Sequence, residues 1–146
     1  MIKVSLIPAS HVGEVWDEAE PYISQVCDLT YGRANPIDIL DRCLRGVGHL
    51  WVAYEEDGKK IIGAAITRET SYPDVKLLTV EQLAGERFDE WINLIHQSFE
   101  DWAKHLGCAG MELIGRPGWK KRLAPYGWQP KFEVCQLLFK DKPSIH

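Results

Sequence analysis

Val75-Lys76-Leu77-Leu78-Thr79-Val80, followed by Glu81-Gln82-Leu83-Ala84-Gly85 and later by Met111-Glu112-Leu113-Ile114, frames the stretch that decides how this chain folds. The first segment reads as an apolar strand, the second as a short turn and the third as another strand. Between turn and last strand, residues 86–106 carry Phe88, Trp91, Ile92, Ile95, Phe99, Trp102, Ala103 and Leu106 at the three- and four-residue spacing of an amphipathic helix, with Gly107 as its stop. The result is a β-loop-α-β unit. Its loop, residues 81–85, lies at a helix N-terminus, where free backbone N–H groups and the helix dipole favour an anion, so it is the first place to expect a ligand's phosphates.

Upstream of this unit, residues 2–7 read as a strand closed by Pro8. A helical pattern follows through Val12, Val15, Trp16, Ala19, Ile23, Val26 and Cys27, and Pro21 predicts a kink or a break into two helices. Asn35 and Pro36 suit the N-cap and first position of the next helix. Ile37, Leu40, Leu44 and Val47 are its expected inner face, and Gly46 or Gly48 its end. Two apolar arms, 50–54 and 61–67, flank Glu56-Asp57-Gly58-Lys59, a hairpin signal, and the turn 71–74 leads into the strand at 75. Downstream come a short helix near Trp119–Pro125, the turn Tyr126-Gly127-Trp128 and an expected last strand, Glu133–Phe139. No linker or repeat divides the chain, so residues 1–146 read as one α/β domain.

Composition sets limits on function. With 146 residues, 45% of them hydrophobic, the chain can bury a proper core. A net charge of −4 gives no general reason to expect nucleic acid as a partner. No apolar run approaches the roughly 20 residues that span a bilayer, so no membrane association is read. Cys27, Cys43, Cys108 and Cys135 lack the spacing of a disulfide framework or a zinc site and read as buried free thiols of a cytoplasmic protein. His96 and Glu100 stand four apart on the long helix, a pair that reads as a surface contact, and no metal site is assigned.

The element order β-α-α-β-β-β-α-β-α-β resembles the GNAT (Gcn5-related N-acetyltransferase) superfamily over essentially the whole chain. Gln82-x-x-Gly85-x-Arg87 is similar to the family's Gln/Arg-x-x-Gly-x-Gly/Ala loop, and Leu123-Ala124-Pro125-Tyr126-Gly127-Trp128 to its short helix and Gly-aromatic turn. Gly115-Arg116-Pro117-Gly118-Trp119 resembles small GNAT-like proteins of bacteriophages and prophages. The resemblance implies a mixed, mostly antiparallel twisted sheet with helices on both faces. It also implies acetyl-CoA as co-substrate, its pyrophosphate on the loop amides and its pantetheine beside a splayed fourth strand. Carried over residue by residue, Leu78, Val80, Gln82, Gly85 and Arg87 are the cofactor-binding candidates. Glu81 and Glu112, with Glu69 nearby, are the carboxylates for the amine proton, and Tyr126 is the candidate acid for the departing thiolate.

The chain also departs from the family pattern. The loop after Val80 is shorter, Arg87 replaces a small residue, and Leu123 stands where the family places its tyrosine. The alternative to an N-acetyltransferase acting on an unidentified small-molecule or protein amine is therefore a catalytically degenerate GNAT-like accessory or interaction protein of phage type. Its partner would be a second copy of the chain or a phage protein. Arg116, Lys120, Lys121, Arg122 and Lys131, with Trp119 and Trp128 among them, form a basic stretch without acidic residues. It reads as a solvated face, as a site for the 3′-phosphate of CoA centred on Arg116, or, least in keeping with an acidic chain, as a nucleic-acid edge.

Overall fold

The computed structural model describes residues 1–139. Five strands, β1 (Ile2–Ile7), β2 (His49–Glu55), β3 (Ile61–Ser71), β4 (Lys76–Gly85) and β5 (Gly110–Leu113), lie in that order in one sheet. The first four are antiparallel neighbours, and β5 runs parallel to β4. A parallel pair needs a crossover. Here it is α3 (Ile92–His105), which packs on one sheet face while α1 (Val12–Cys27) and α2 (Pro36–Leu44) cover the other. A short α4 (Pro117–Leu123) follows β5.

Strand alternation sorts the core into two layers. Trp51, Ala53, Ala65, Leu78 and Val80 face α3 and meet Trp91, Ile95, Phe99 and Ala103. Leu50, Val52, Ala64 and Ile66 face α1 and α2 and meet Ala19, Ile23, Ile39 and Cys43. Burial pushes the Cys27 and Cys43 thiols up to about 11, so both stay protonated and unreactive near neutrality. Cys135, expected inside, is exposed.

Several sequence expectations give way to the packing. Of the two outcomes expected at Pro21, the break into two helices does not occur: helix α1 is one element through it. Pro21 and Asp17, the residue whose carbonyl the proline leaves without a donor, both lie on the exposed side, where that carbonyl is open to solvent. Helix α2 starts as expected, with the Asn35 side chain accepting from the Asp38 N–H, and the positive φ of Gly46 follows its end. Its buried face is Ile39 and Cys43, whereas Ile37, Leu44 and Val47 are exposed. The long helix begins at Ile92 rather than 86, after a 3₁₀ turn at Phe88–Glu90. No strand forms at 133–139. Trp128 is fastened to α3, and residues 129–139 lie outside any ladder with β5.

Two histidines, His96 buried and His49 half-buried, tie the α3 layer together. The Trp128 Nε1–H donates to His96 Nε2 at 2.8 Å, and the Trp102 Nε1–H donates to His49 Nδ1 at 3.3 Å. Each bond requires an unprotonated ring nitrogen. Burial holds both imidazoles below the ordinary 6.5, opposed by Glu100 beside His96 and by Glu69 near His49. A folded-state value below the unfolded one means the unfolded chain takes up the proton first as pH falls. The stability these two histidines contribute is therefore complete above 6.5 and lost below it, down through the folded values. Thermal melts are expected to show a lower Tm at about pH 5 than at about pH 7.5, and His96→Gln should shrink that drop. An unchanged drop in His96→Gln would assign the acid sensitivity to other groups.

Candidate active site

The site is built where β4 leaves β5. Pairing runs from Leu77 opposite Gly110 to Val80 opposite Leu113 and stops there. Strand β4 continues to Gly85 along β3 alone. The expected turn 81–85 is thus the second half of a strand, and one face-switching device sits at its start. Thr67 pairs with Val80 and Ile66 with Gln82, leaving Glu81 as an extra, unpaired residue. Such a β-bulge re-aims the side chains around it. Glu81 accordingly reaches the α2 side of the sheet, and Gln82 stands opposite Ile66 of the same layer.

Beyond the bulge, the backbone geometry follows from one hydrogen bond. The Glu86 N–H donates to the Ile62 carbonyl at 2.7 Å. Hydrogen-bonded and non-bonded pairs alternate along an antiparallel ladder. With Ala64 opposite Ala84 and Ala65 opposite Leu83, the N–H and C=O groups of Leu83 and Gly85 turn away from β3, toward the side that β5 has left. No loop carbonyl among the described residues takes either N–H. An open strand edge results.

A cavity of about 380 Å³ lies at this divergence. Val80, Glu81, Gln82 and Leu83 form its β4 wall, and Leu113, Ile114 and Gly115 its β5 wall. Thr30, Tyr31 and Arg33 from the α1–α2 loop, Arg116 and Trp119 at α4, and Val134 with Gln136 from the C-terminal segment complete it. Two interactions shape the β4 wall. Glu81 accepts from Arg42 Nη1 at 3.0 and 3.1 Å and from Arg68 Nε at 2.9 Å, which neutralises its charge. Gln82 is only 2% exposed, and its Oε1 has no hydrogen-bond partner among the described residues.

The sequence-derived candidates divide by position. Val80, Glu81, Gln82 and Arg116 line the cavity. Leu78 is fully buried in the α3 layer. Gly85 lies beneath the Trp91 indole, opposite Gly63. Arg87, in the left-handed region at φ 54°, spends its guanidinium on Glu55 and Glu90. Glu112 is outside the lining and accepts from the Tyr72 hydroxyl at 2.6 Å and the Thr79 hydroxyl at 3.0 Å; that bond holds the Tyr72 phenol above its usual value. Glu69 pairs with Lys76 at 2.6 Å. Tyr126 donates to Asn93 Oδ1 and stacks on His96, also away from the cavity. In the turn before α3, Arg122 of α4 pairs with Asp89 and stacks over Phe88, while Asn93 and Leu94 in the first turn of α3 are exposed.

Leu83, Ile114, Gly115 and the loop 30–33 were not singled out by the sequence. One signal for the bulge was present. Glu81-Gln82 interrupts a run from Leu77 to Ala84 that is otherwise apolar but for Thr79, and two adjacent polar residues cannot both follow a period of two. Among the described residues no group of three or more His, Cys, Asp or Glu side chains is placed to hold a metal, and no helix is long and apolar enough to cross a membrane.

No protein-family model matches the sequence, and no curated protein matches it. Solved structures do. A probable acetyltransferase superposes with a TM-score of 0.71 at 12% identity, over 96% of this chain and 99% of that one. A GCN5-related N-acetyltransferase from Ralstonia eutropha gives 0.68 at 15% identity, over 94% and 99%. A predicted acetyltransferase from Clostridium acetobutylicum, solved with acetyl-CoA, gives 0.64 at 15% identity, over 94% and 96%. At these identities the likeness is one of architecture, and the chain has the fold of the GNAT acetyltransferases.

Proposed function

We propose that this protein is an N-acetyltransferase that moves the acetyl group of acetyl-CoA to an amine. The observation that carries the reading is the open β4 edge facing the cavity where β4 and β5 part. A thioester arm with amide groups can lie there as an added strand, bonded to an edge that has donors and acceptors to spare. The amine nitrogen attacks the thioester carbonyl carbon, a C–N bond forms, and the oxyanion collapses with cleavage of the C–S bond. The Leu83 N–H is the proposed donor to that oxyanion. Glu81 and water are the routes for the amine proton. Protonation completes release of the thiol; Tyr126, expected from the sequence to take that step, and Glu112, expected to take the amine proton, are not part of the cavity lining and are given no role here. Arg116 at the rim is the proposed partner of a CoA phosphate.

A second reading, a GNAT-like scaffold without catalysis acting as an accessory protein of phage type in the cytoplasm, is favoured by one observation. Both oxygens of the carboxylate nearest the cavity are taken by Arg42 and Arg68. Calorimetry separates the two. Acetyl-CoA is expected to bind with a dissociation constant at or below about 0.1 mM, within the usual span of enzyme substrates. Absence of binding heat at about 1 mM, corresponding to a binding free energy weaker than roughly −4 kcal/mol, would overturn the transferase reading.

A further inference from the structure

The geometry points to Gln82 as the residue that receives the acceptor amine, and to an acceptor that carries an anionic group read by Arg33. This inference rests on the transferase reading and adds the chemical class of its second substrate. Its starting point is the Gln82 Oε1, a carbonyl oxygen on a side chain 2% exposed, in the cavity wall and without a donor. A buried acceptor left unpaired is costly, and a native structure keeps one where something else supplies the hydrogen. The oxygen is shut off from water as it stands, so the amide turns toward the cavity to take an N–H or O–H from a molecule there. Gln82 follows directly on the bulge and stands in the α1–α2 layer, opposite Ile66, whereas the open edge donors belong to Leu83 and Gly85. Gln82 therefore stands on the side from which a second substrate meets a thioester arm laid along that edge. An amide neither gives nor takes a proton near neutrality, so Gln82 orients the amine by accepting one N–H while the lone pair remains free to attack.

Charge then selects the acceptor. Glu81, the acidic residue of the lining, is matched by two guanidiniums, Arg42 and Arg68. Arg33 and Arg116 also line the cavity, and among the described residues neither forms a salt bridge. The cavity is net positive. A diamine or other polycation is repelled there, while an amine bearing a carboxylate or phosphate is drawn in. Arg33 comes from the α1–α2 loop, on the side where Gln82 stands, and Arg116 from the opposite, β5 side. Arg33 thus falls to the acceptor's anion and Arg116 to the phosphates of CoA.

The test follows CoA thiol release at saturating acetyl-CoA against three sets of amines: amino acids with phosphorylated amino sugars, aliphatic diamines, and arylamines. Turnover is expected in the first set. Gln82→Leu should raise KM for those acceptors about tenfold or more, equivalent to about 1.4 kcal/mol of binding. Its acetyl-CoA dissociation constant should stay within about twofold and its Tm should be unchanged or higher, because an unpaired buried amide has been removed. Arg33→Gln should raise KM for the anionic acceptors and leave their uncharged esters unaffected. Four results overturn the inference while acetyl-CoA still binds: preference for diamines, no turnover of any set, Gln82→Leu weakening acetyl-CoA itself, or Gln82→Leu lowering Tm with KM unchanged. A protein that fails to bind acetyl-CoA at all overturns the underlying transferase reading instead, and this inference with it.

Discussion

Gly85→Val is expected to destabilise the protein by about 3 kcal/mol or more, at the top of the range for forced overpacking of a core. A Cβ at Gly85 would stand 2.6 Å from the Gly63 Cα, 2.7 Å from the Ile62 carbonyl oxygen and 2.8 Å from Trp91 Cζ2. Two of those three atoms belong to the neighbouring strand's backbone and cannot swing aside. The third belongs to an indole that is 1% exposed and whose Nε1–H is fixed on the Glu86 carbonyl at 2.9 Å. Gly63→Ala meets the same ring at 2.5 Å and should cost about 1–3 kcal/mol. Against a total stability of roughly 5–15 kcal/mol, either loss is plain in the midpoint of a urea transition. Trp91→Leu, which empties the space above both glycines, should recover part of the Gly63→Ala loss. No recovery would mean the strain lies in the ladder and not under the ring. The paired glycines are thus a seat for the Trp91 ring, and that seat fixes where α3 begins.

That seat also shows what the sequence carried and what it hid. Local signals, a turn pair, a capping pair and a periodic stripe, were enough for the hairpin around Asp57-Gly58, the Asn35-Pro36 helix start and the α3 stripe, because each is set by neighbours in sequence. Gly85 looked like a phosphate-loop glycine because glycine has two uses, an unhindered amide and a missing side chain, and only the position of Trp91 distinguishes them. The inner face of α2 slipped by a similar ambiguity. Ile37, Leu40 and Leu44 fit a helical stripe, but Ile39 and Cys43 fit one four residues apart as well, and contact with α1 chose the second. The last strand was read from an apolar run whose burial depended on a partner. With β5 only four residues long and Trp128 held by His96, the run 133–139 has no ladder to join. The candidate site was legible to the extent that it is made of β4. Its β5 wall and the loop 30–33 are brought in by tertiary packing alone.

Leu83→Pro is expected to lower kcat/KM for acetyl transfer by about 100- to 1,000-fold relative to Leu83→Ala, the loss typical of deleting one preorganised oxyanion donor. The comparison is between two variants because both forfeit the Leu83 side chain, which packs against the α3 layer, and only one forfeits the N–H. Proline is tolerated at a strand position whose N–H faces away from its ladder partner, and the preceding residue is already extended, as a pre-proline residue must be. The two variants should therefore unfold at similar urea concentrations while differing in turnover. If Leu83 instead donated toward β3, proline would remove a ladder bond and lower stability well below that of the alanine variant. Equal stability with equal turnover would mean the open edge does not touch the reacting carbonyl, leaving the cavity a binding site without the proposed chemistry. Equal stability with the large kinetic gap places the donor at the carbonyl and makes the parting of β4 from β5 the structural origin of catalysis, since a strand paired to its end would have no N–H left to give.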